Sequence, residues 1–234
     1  MRNINFRTPK PFGQRSNSKE KIEKKKYLLV VEGSKTEIDY FNGIFNYRKE
    51  LDIDELIDIT VVEREEVNRN DSHPNHLLQG ILKKIGKIET DEEYECITYK
   101  EEIDEVWLIF DRDEGNFSKE QFADILRKCN ENKFKIGLTN PTFEFWLLLH
   151  FPYIEQYKRE DLLENRRENT RKRYLDKLLS EKLNGYNKLI QFEKIKDNIN
   201  LAIAQEKYFE QRIPEIFETL VSNIGTMIAK MKLD

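Results

Sequence analysis

Short apolar runs alternate with helical periodicity along the first two thirds of the chain. Tyr27–Val31 is a run of five apolar residues closed by Glu32 and Gly33, which predicts a buried parallel strand. Ser34 and Glu37 have the spacing of a capping box and predict a helix behind it that carries Ile38, Phe41, Ile44 and Phe45 on one face. Residues 56–62 (LIDITVV) predict a second strand. Leu77, Leu78, Ile81, Leu82 and Ile85 recur at helical spacing within 76–88. Residues 89–103 are acidic and lack a period, so they read as an irregular excursion. The strongest strand signal is EVWLIFDRD at 105–113, followed by a helix over 117–129 started by Ser118 and a short strand, FKIGLTN, at 134–140. Pro141 breaks the chain before an apolar helix, FEFWLLLHF. Beyond residue 153 the strand signal ends. Helices are expected over 153–165, 170–183, 188–209 and from Pro214 through Ile228.

Alternating strands and helices predict an α/β fold with an open, parallel, doubly wound sheet. The expected organisation is a basic leader over 1–26, an α/β core over 27–152 and a helical region over 153–234 packed on one side of the sheet.

Composition narrows the class. Charged residues make up 36% of the 234, and 14 Phe with 10 Tyr supply the apolar bulk that a disordered chain lacks. No apolar run approaches the roughly 18 residues needed to span a bilayer, and no secretory pattern follows Met1. Two distant cysteines, Cys96 and Cys129, fit a reducing cytoplasm and neither a disulfide scaffold nor a zinc finger. The expectation is a cytoplasmic protein with no membrane segment.

The net charge of −4 hides an asymmetry, because residues 1–26 hold nine Lys/Arg against two Glu. Such an arm either neutralises nucleic-acid phosphates or serves as a solvated leader. A second basic stretch, Lys158, Arg159, Arg166, Arg167, Arg171, Lys172 and Arg173, is interleaved with acidic residues. It reads equally as the wall of a nucleic-acid groove or as a salt-bridged helix face.

Ligands of open parallel sheets bind beyond the carboxyl ends of the strands. Glu32 ends the first strand there. Asp111 and Asp113 end the third, two apart, so that both can address one ion. An all-oxygen site of this kind suits Mg²⁺, and it requires the strands of Glu32 and Asp111 to be neighbours. Lys35, at a helix N-terminus, is placed to meet a phosphate. His73 and His76 lack further ligands for zinc. Gly33-Ser34-Lys35-Thr36 lacks the upstream glycine of a P-loop. Trp146 and His150 read as core, and Glu144 as a helix cap.

Three segments resemble the RloB-like family: Val30-Val31-Glu32-Gly33-Ser34-Lys35-Thr36-Glu37 with Tyr40-Phe41 behind it, Phe110-Asp111-Arg112-Asp113, and Asn140-Pro141-Thr142-Phe143-Glu144-Phe145-Trp146 running on through Phe151. The E-G and D-x-D pair is in turn similar to the Toprim fold of topoisomerases, bacterial primases and OLD-type nucleases. The resemblance implies a Toprim-like site that uses Mg²⁺ or Mn²⁺ for phosphodiester chemistry on DNA or RNA. By position, Glu32 is acid/base or ligand, and Asp111 and Asp113 are ligands. Glu37 is similar, one residue out of register, to a second metal-binding glutamate. Lys35, Asn140, Arg166, Arg167 and Arg171 are candidates for substrate binding. The resemblance also implies a role in restriction or anti-phage defence beside an AAA- or ABC-type ATPase. The alternative is a module that binds a metal or nucleotide for such an ATPase without turnover.

Overall fold

The computed structural model describes residues 24–33, 35–62, 74–89, 96–112, 117–170, 172–210, 212 and 216–233. Five strands, β1 (Lys25–Val31), β2 (Ile57–Val62), β3 (Glu105–Asp111), β4 (Lys135–Asn140) and β5 (Val221–Ser222), form one sheet in the order β2-β1-β3-β4-β5. The first four are parallel and β5 is antiparallel to β4. Helices α1 (Thr36–Asn46), α2 (Pro74–Lys84), α3 (Lys119–Glu131) and α4 (Phe143–Leu148) alternate with the strands, and α5 (Arg159–Glu164), α6 (Tyr174–Leu183), α7 (Ile199–Glu206) and α8 (Ile224–Ala229) follow. The fold is the expected α/β sheet with flanking helices and a helical C-terminal region.

The central strands read as unbroken apolar runs because helices cover both of their faces. Tyr27, Leu29, Val31, Trp107 and Ile109 pack with α1, α4 and the C-terminal helices. Leu28, Val30, Val106, Leu108 and Phe110 pack with α2 and α3 on the other face. The C-terminal residues Leu175, Leu179, Ile199, Ile224 and Met227 share the first of these clusters with β1 and β3. At the amino ends, β1 begins at Lys25, two residues before its expected start. Glu105 pairs there with Lys25 and Lys135, each at 2.6 Å.

Helix α3 starts as read: Ser118 Oγ accepts from the Gln121 N–H at 3.2 Å, and Gln121 Oε1 accepts from the Ser118 N–H at 2.7 Å. Helix α1 begins after Lys35, which makes no side-chain cap bond; the expected capping box falls on Ser34, which lies outside the described residues. Two other expectations are corrected. The helix expected over 188–209 is two 3₁₀ turns, at Phe192–Lys194 and Lys196–Asn198, followed by α7. The ring of Phe192 is seated where a side chain on Gly43 would stand and contacts Tyr40 and Tyr47, a tertiary anchor that overrides the helical period. The last expected helix is replaced in its middle by β5, whose two residues extend the sheet past β4. No described helix is long and apolar enough to cross a membrane.

Candidate active site

Strand order reverses between β1 and β3, since β2 lies on one side of β1 and β3 and β4 on the other. A crevice at the carboxyl ends of these two strands is the natural ligand position in an open parallel sheet. The topology that the sequence required is present: Val31 pairs with Ile109, and the Glu32 N–H donates to the Ile109 carbonyl at 3.0 Å. Glu32 Oε2 in turn accepts from the Asp111 N–H at 3.3 Å, so one backbone donor ties the two acidic strand ends together.

Asp111 accepts from Thr139 Oγ1 of the neighbouring β4. Glu37, in the first turn of α1, folds back over Gly33, and its Oε2 lies 1.9 Å from where a Cβ on that residue would be. Only a residue without a side chain admits the carboxylate there. Glu144, near the N-terminus of α4, is 5% exposed and faces the same region electrostatically. Sequence reading gives it a capping role. Instead its Oε1 accepts from Tyr186 Oη at 2.8 Å and from Lys188 Nζ at 2.7 Å. Lys188 also pairs with Asp176 at 2.8 Å, and its carbonyl accepts from Thr36 Oγ1 at 2.9 Å.

Charge explains the resulting asymmetry. Burial, with the carboxylates of Glu37, Glu144 and Glu32, pushes Asp111 well above the ordinary aspartate range. Burial and the charge of Glu144 raise Glu37 to about 7, against its own backbone N–H and Lys188. Burial also opposes ionisation of Glu144, yet Lys188 and Tyr186 outweigh it and hold that carboxyl below its usual range. Four carboxylates thus crowd one sheet end, and one of them is neutralised by a lysine.

Asp113 and Arg171 lie outside the described residues, as does His73. Among the described residues, no three acidic, His or Cys side chains are grouped closely enough to hold one metal ion. The donor set is nonetheless all oxygen and rich in negative charge, which is the chemistry that Mg²⁺ or Mn²⁺ requires. Lys35 is exposed beside the site. Asn140 is buried and gives its amide hydrogens to the carbonyls of Ile216 and Thr219, fastening that turn. Arg166 is exposed and ion-paired with Glu164, whereas Arg167 lines a small basic cavity. His150 is fully buried between Tyr40 Oη at 3.1 Å and the Trp146 carbonyl at 3.2 Å, and burial lowers its pKa to about 4. It is a neutral core group, as the sequence suggests.

Glu144, Tyr186, Asp176 and Lys188 escape sequence reading as a set. Glu144 stands in a recognisable motif, but its partners are about forty residues further on, and nothing in N-G-Y-N-K marks them.

No curated protein and no solved structure matches the chain. The family model described as RloB-like protein matches residues 27–231, which takes in the sheet, the carboxylate cluster and the C-terminal helices. The chain belongs to the RloB-like family.

Proposed function

We propose that the protein is a Toprim-like, metal-dependent nuclease that hydrolyses phosphodiesters of DNA or RNA and acts in restriction or anti-phage defence. The observation that carries this reading is the crowding of Glu32, Glu37, Asp111 and Glu144 at the switch point of a parallel sheet, with Asp111 and Glu37 both resisting ionisation. A divalent cation relieves such repulsion, and the charge it neutralises is electrostatic energy available for binding it. Glu32 and Asp111 would hold the ion, with Asp113 added from the sequence motif. When bound, Mg²⁺ or Mn²⁺ lowers the pKa of coordinated water and stabilises the leaving oxygen. Glu37, at about 7, is suited to take a proton near neutral pH. Lys35, exposed at the same rim, is placed to neutralise a phosphate oxygen.

A second reading is a module that binds metal or nucleotide for a neighbouring AAA- or ABC-type ATPase without turnover, using the same carboxylate cluster. One experiment separates the two. Plasmid, single-stranded DNA and total RNA are incubated with the full chain in Mg²⁺, Mn²⁺ or EDTA, alone and with that ATPase. The nuclease reading expects metal-dependent cleavage that falls by about 10³-fold or more in Asp111→Asn and in Glu32→Gln, a barrier increase of about 4 kcal/mol, with cooperative unfolding retained. Variants that cut like the parent protein would refute it.

A further inference from the structure

The segment between α5 and α6 doubles back on itself. Arg167 and Arg173 are bridged antiparallel, and the Tyr174 N–H donates to the Arg166 carbonyl at 2.9 Å. The N–H groups of Glu168 and Asn169 donate to the Lys172 carbonyl at 3.0 and 3.2 Å, and the Lys172 N–H donates to Asn169 Oδ1 at 3.0 Å. The pinned loop and Lys188 enclose a cavity of about 220 Å³. Its wall carries four cations, Arg167, Lys172, Arg173 and Lys188, two neutral hydrogen-bonding side chains, Asn169 and Thr170, and one carboxylate, Asp176. That carboxylate is already engaged by Lys188 Nζ at 2.8 Å and by the Arg173 N–H at 3.0 Å. Among the described residues Arg167 makes no ion pair, and Lys172 Nζ bonds only the neutral Ser180 Oγ, at 2.6 Å. The cavity is therefore a concentrated positive site. Its volume falls below the roughly 300–1,000 Å³ that a drug-sized ligand occupies, so it suits a phosphate group rather than a whole nucleotide.

Its position gives the charge a use. Lys188 lines the cavity and bonds Glu144, the carboxylate whose charge acts on Asp111. One lysine thus separates the negative end of the sheet from the positive cavity. Its ammonium also offsets the charge of that carboxylate, which would otherwise repel an incoming phosphate. Guanidinium groups match phosphate oxygens through paired N–H donors, and a lysine adds a point charge.

We propose that this cavity is a subsite for a backbone phosphate of a nucleic-acid strand, beyond the phosphodiester held at the carboxylate cluster. The proposal rests on the nuclease reading of that cluster and adds where the rest of the strand lies. It assigns Arg167 and Lys172 to strand binding and leaves the chemistry to Glu32 and Asp111.

Binding in EDTA tests this without requiring cleavage. Anisotropy of labelled single-stranded DNA, single-stranded RNA and duplex DNA is followed with the full chain from about 50 to about 200 mM salt. Arg167→Gln with Lys172→Met should weaken binding of at least one of them by about tenfold or more. It should also reduce the slope of log K against log salt by about 1.4 for a single strand or about 1.8 for a duplex, two phosphate contacts in each case. Arg167→Gln alone, on an exposed residue, should lose about half of that slope and keeps the test valid if the double variant unfolds. Lys177→Gln, an exposed change on the adjoining helix α6 at a lysine paired with Glu168, should leave the slope unchanged. An uncharged-backbone oligonucleotide should not distinguish parent from variant. The inference is overturned if the slope is unaltered, if Lys177→Gln has an equal effect, or if none of the three nucleic acids binds. Binding that follows this pattern without any cleavage would remove the nuclease reading alone. Cleavage with an unaltered slope would remove the subsite alone.

Discussion

Two regions of the protein bury glutamate, and they treat it in opposite ways. Glu206, 1% exposed at the end of α7, accepts from Ser222 Oγ at 2.6 Å, from the N–H groups of Gly225 and Thr226 at 2.8 Å each, and from Thr226 Oγ1 at 3.2 Å. Its carboxylate closes the first turn of α8 from outside, and Gly225 lets it approach, because a Cβ there would stand 2.8 Å from Oε2. At the strand ends the position is reversed. Glu32 accepts from the Asp111 N–H, Asp111 accepts from Thr139 Oγ1, Glu37 leans over a glycine, and the neighbouring charges are mostly of the same sign. Burial alone raises the pKa of Glu206 as it raises that of Glu37 and Asp111, so a raised value does not mark a functional site. What differs is the balance of donors against like charge. Glu206 is saturated by neutral donors, whereas at the strand ends several carboxylates act on one another and Lys188 pairs with Glu144.

The largest effect that sharpens this contrast is at Glu206. Glu206→Ala strands two backbone N–H groups and the Ser222 hydroxyl in a buried site, and should cost roughly 3–5 kcal/mol of stability. Denaturant unfolding measures it. A loss below about 1 kcal/mol would mean that the α8 cap is not structural and that the two regions do not differ in kind.

A smaller effect of opposite sign is expected at Glu37. Its native pKa, about 7, lies above the ordinary 4.5, so the native state holds that proton more tightly than the unfolded chain does. Without divalent ions, its contribution to stability falls as pH rises from about 4.5 through about 7. Glu37→Gln removes that loss. The variant should be more stable than the parent at pH 8 by roughly 1–3 kcal/mol, with the gap closing below pH 5. Chemical denaturation at both pH values reads the difference, and a variant equally destabilised at both would show that Glu37 is a structural group like Glu206.

The strands were legible because burial on both faces of β1, β3 and β4 leaves uninterrupted apolar runs with charge at their ends. The adjacency of β1 and β3 followed from chemistry rather than pattern, since only neighbouring strands bring Glu32 near Asp111. The C-terminal region was less legible. Phe192 is held by Gly43 and Tyr40 of α1 and by Tyr47 just past its end, a contact across about 150 residues that no local period encodes. Strand β5 is two residues long, and its existence depends on the free edge of β4. The neutralisation of Glu144 by Lys188 and Tyr186 is likewise a tertiary event, and it decides which carboxylates at the strand ends remain crowded.

The smallest expected effect on stability is the most selective test of the cluster. Gly33 has no left-handed backbone requirement, and the group that its Cβ would meet is the far end of a flexible side chain. Gly33→Ala should therefore displace the Glu37 carboxylate at a cost within about 1 kcal/mol, without deleting any charge. Moved toward water, Glu37 should titrate in the usual glutamate range, which NMR of its side-chain carboxyl would detect. In the parent protein, Mg²⁺ or Mn²⁺ should raise the melting temperature through preferential binding to the native state, by an amount that grows with the logarithm of ion concentration. If Glu37 belongs to the cation site, Gly33→Ala and Glu37→Gln should both reduce that rise, and Asp111→Asn should abolish it. If Gly33→Ala resets the titration of Glu37 and leaves the rise intact, Glu37 is a bystander, and the cation is held by Glu32 and Asp111 without it.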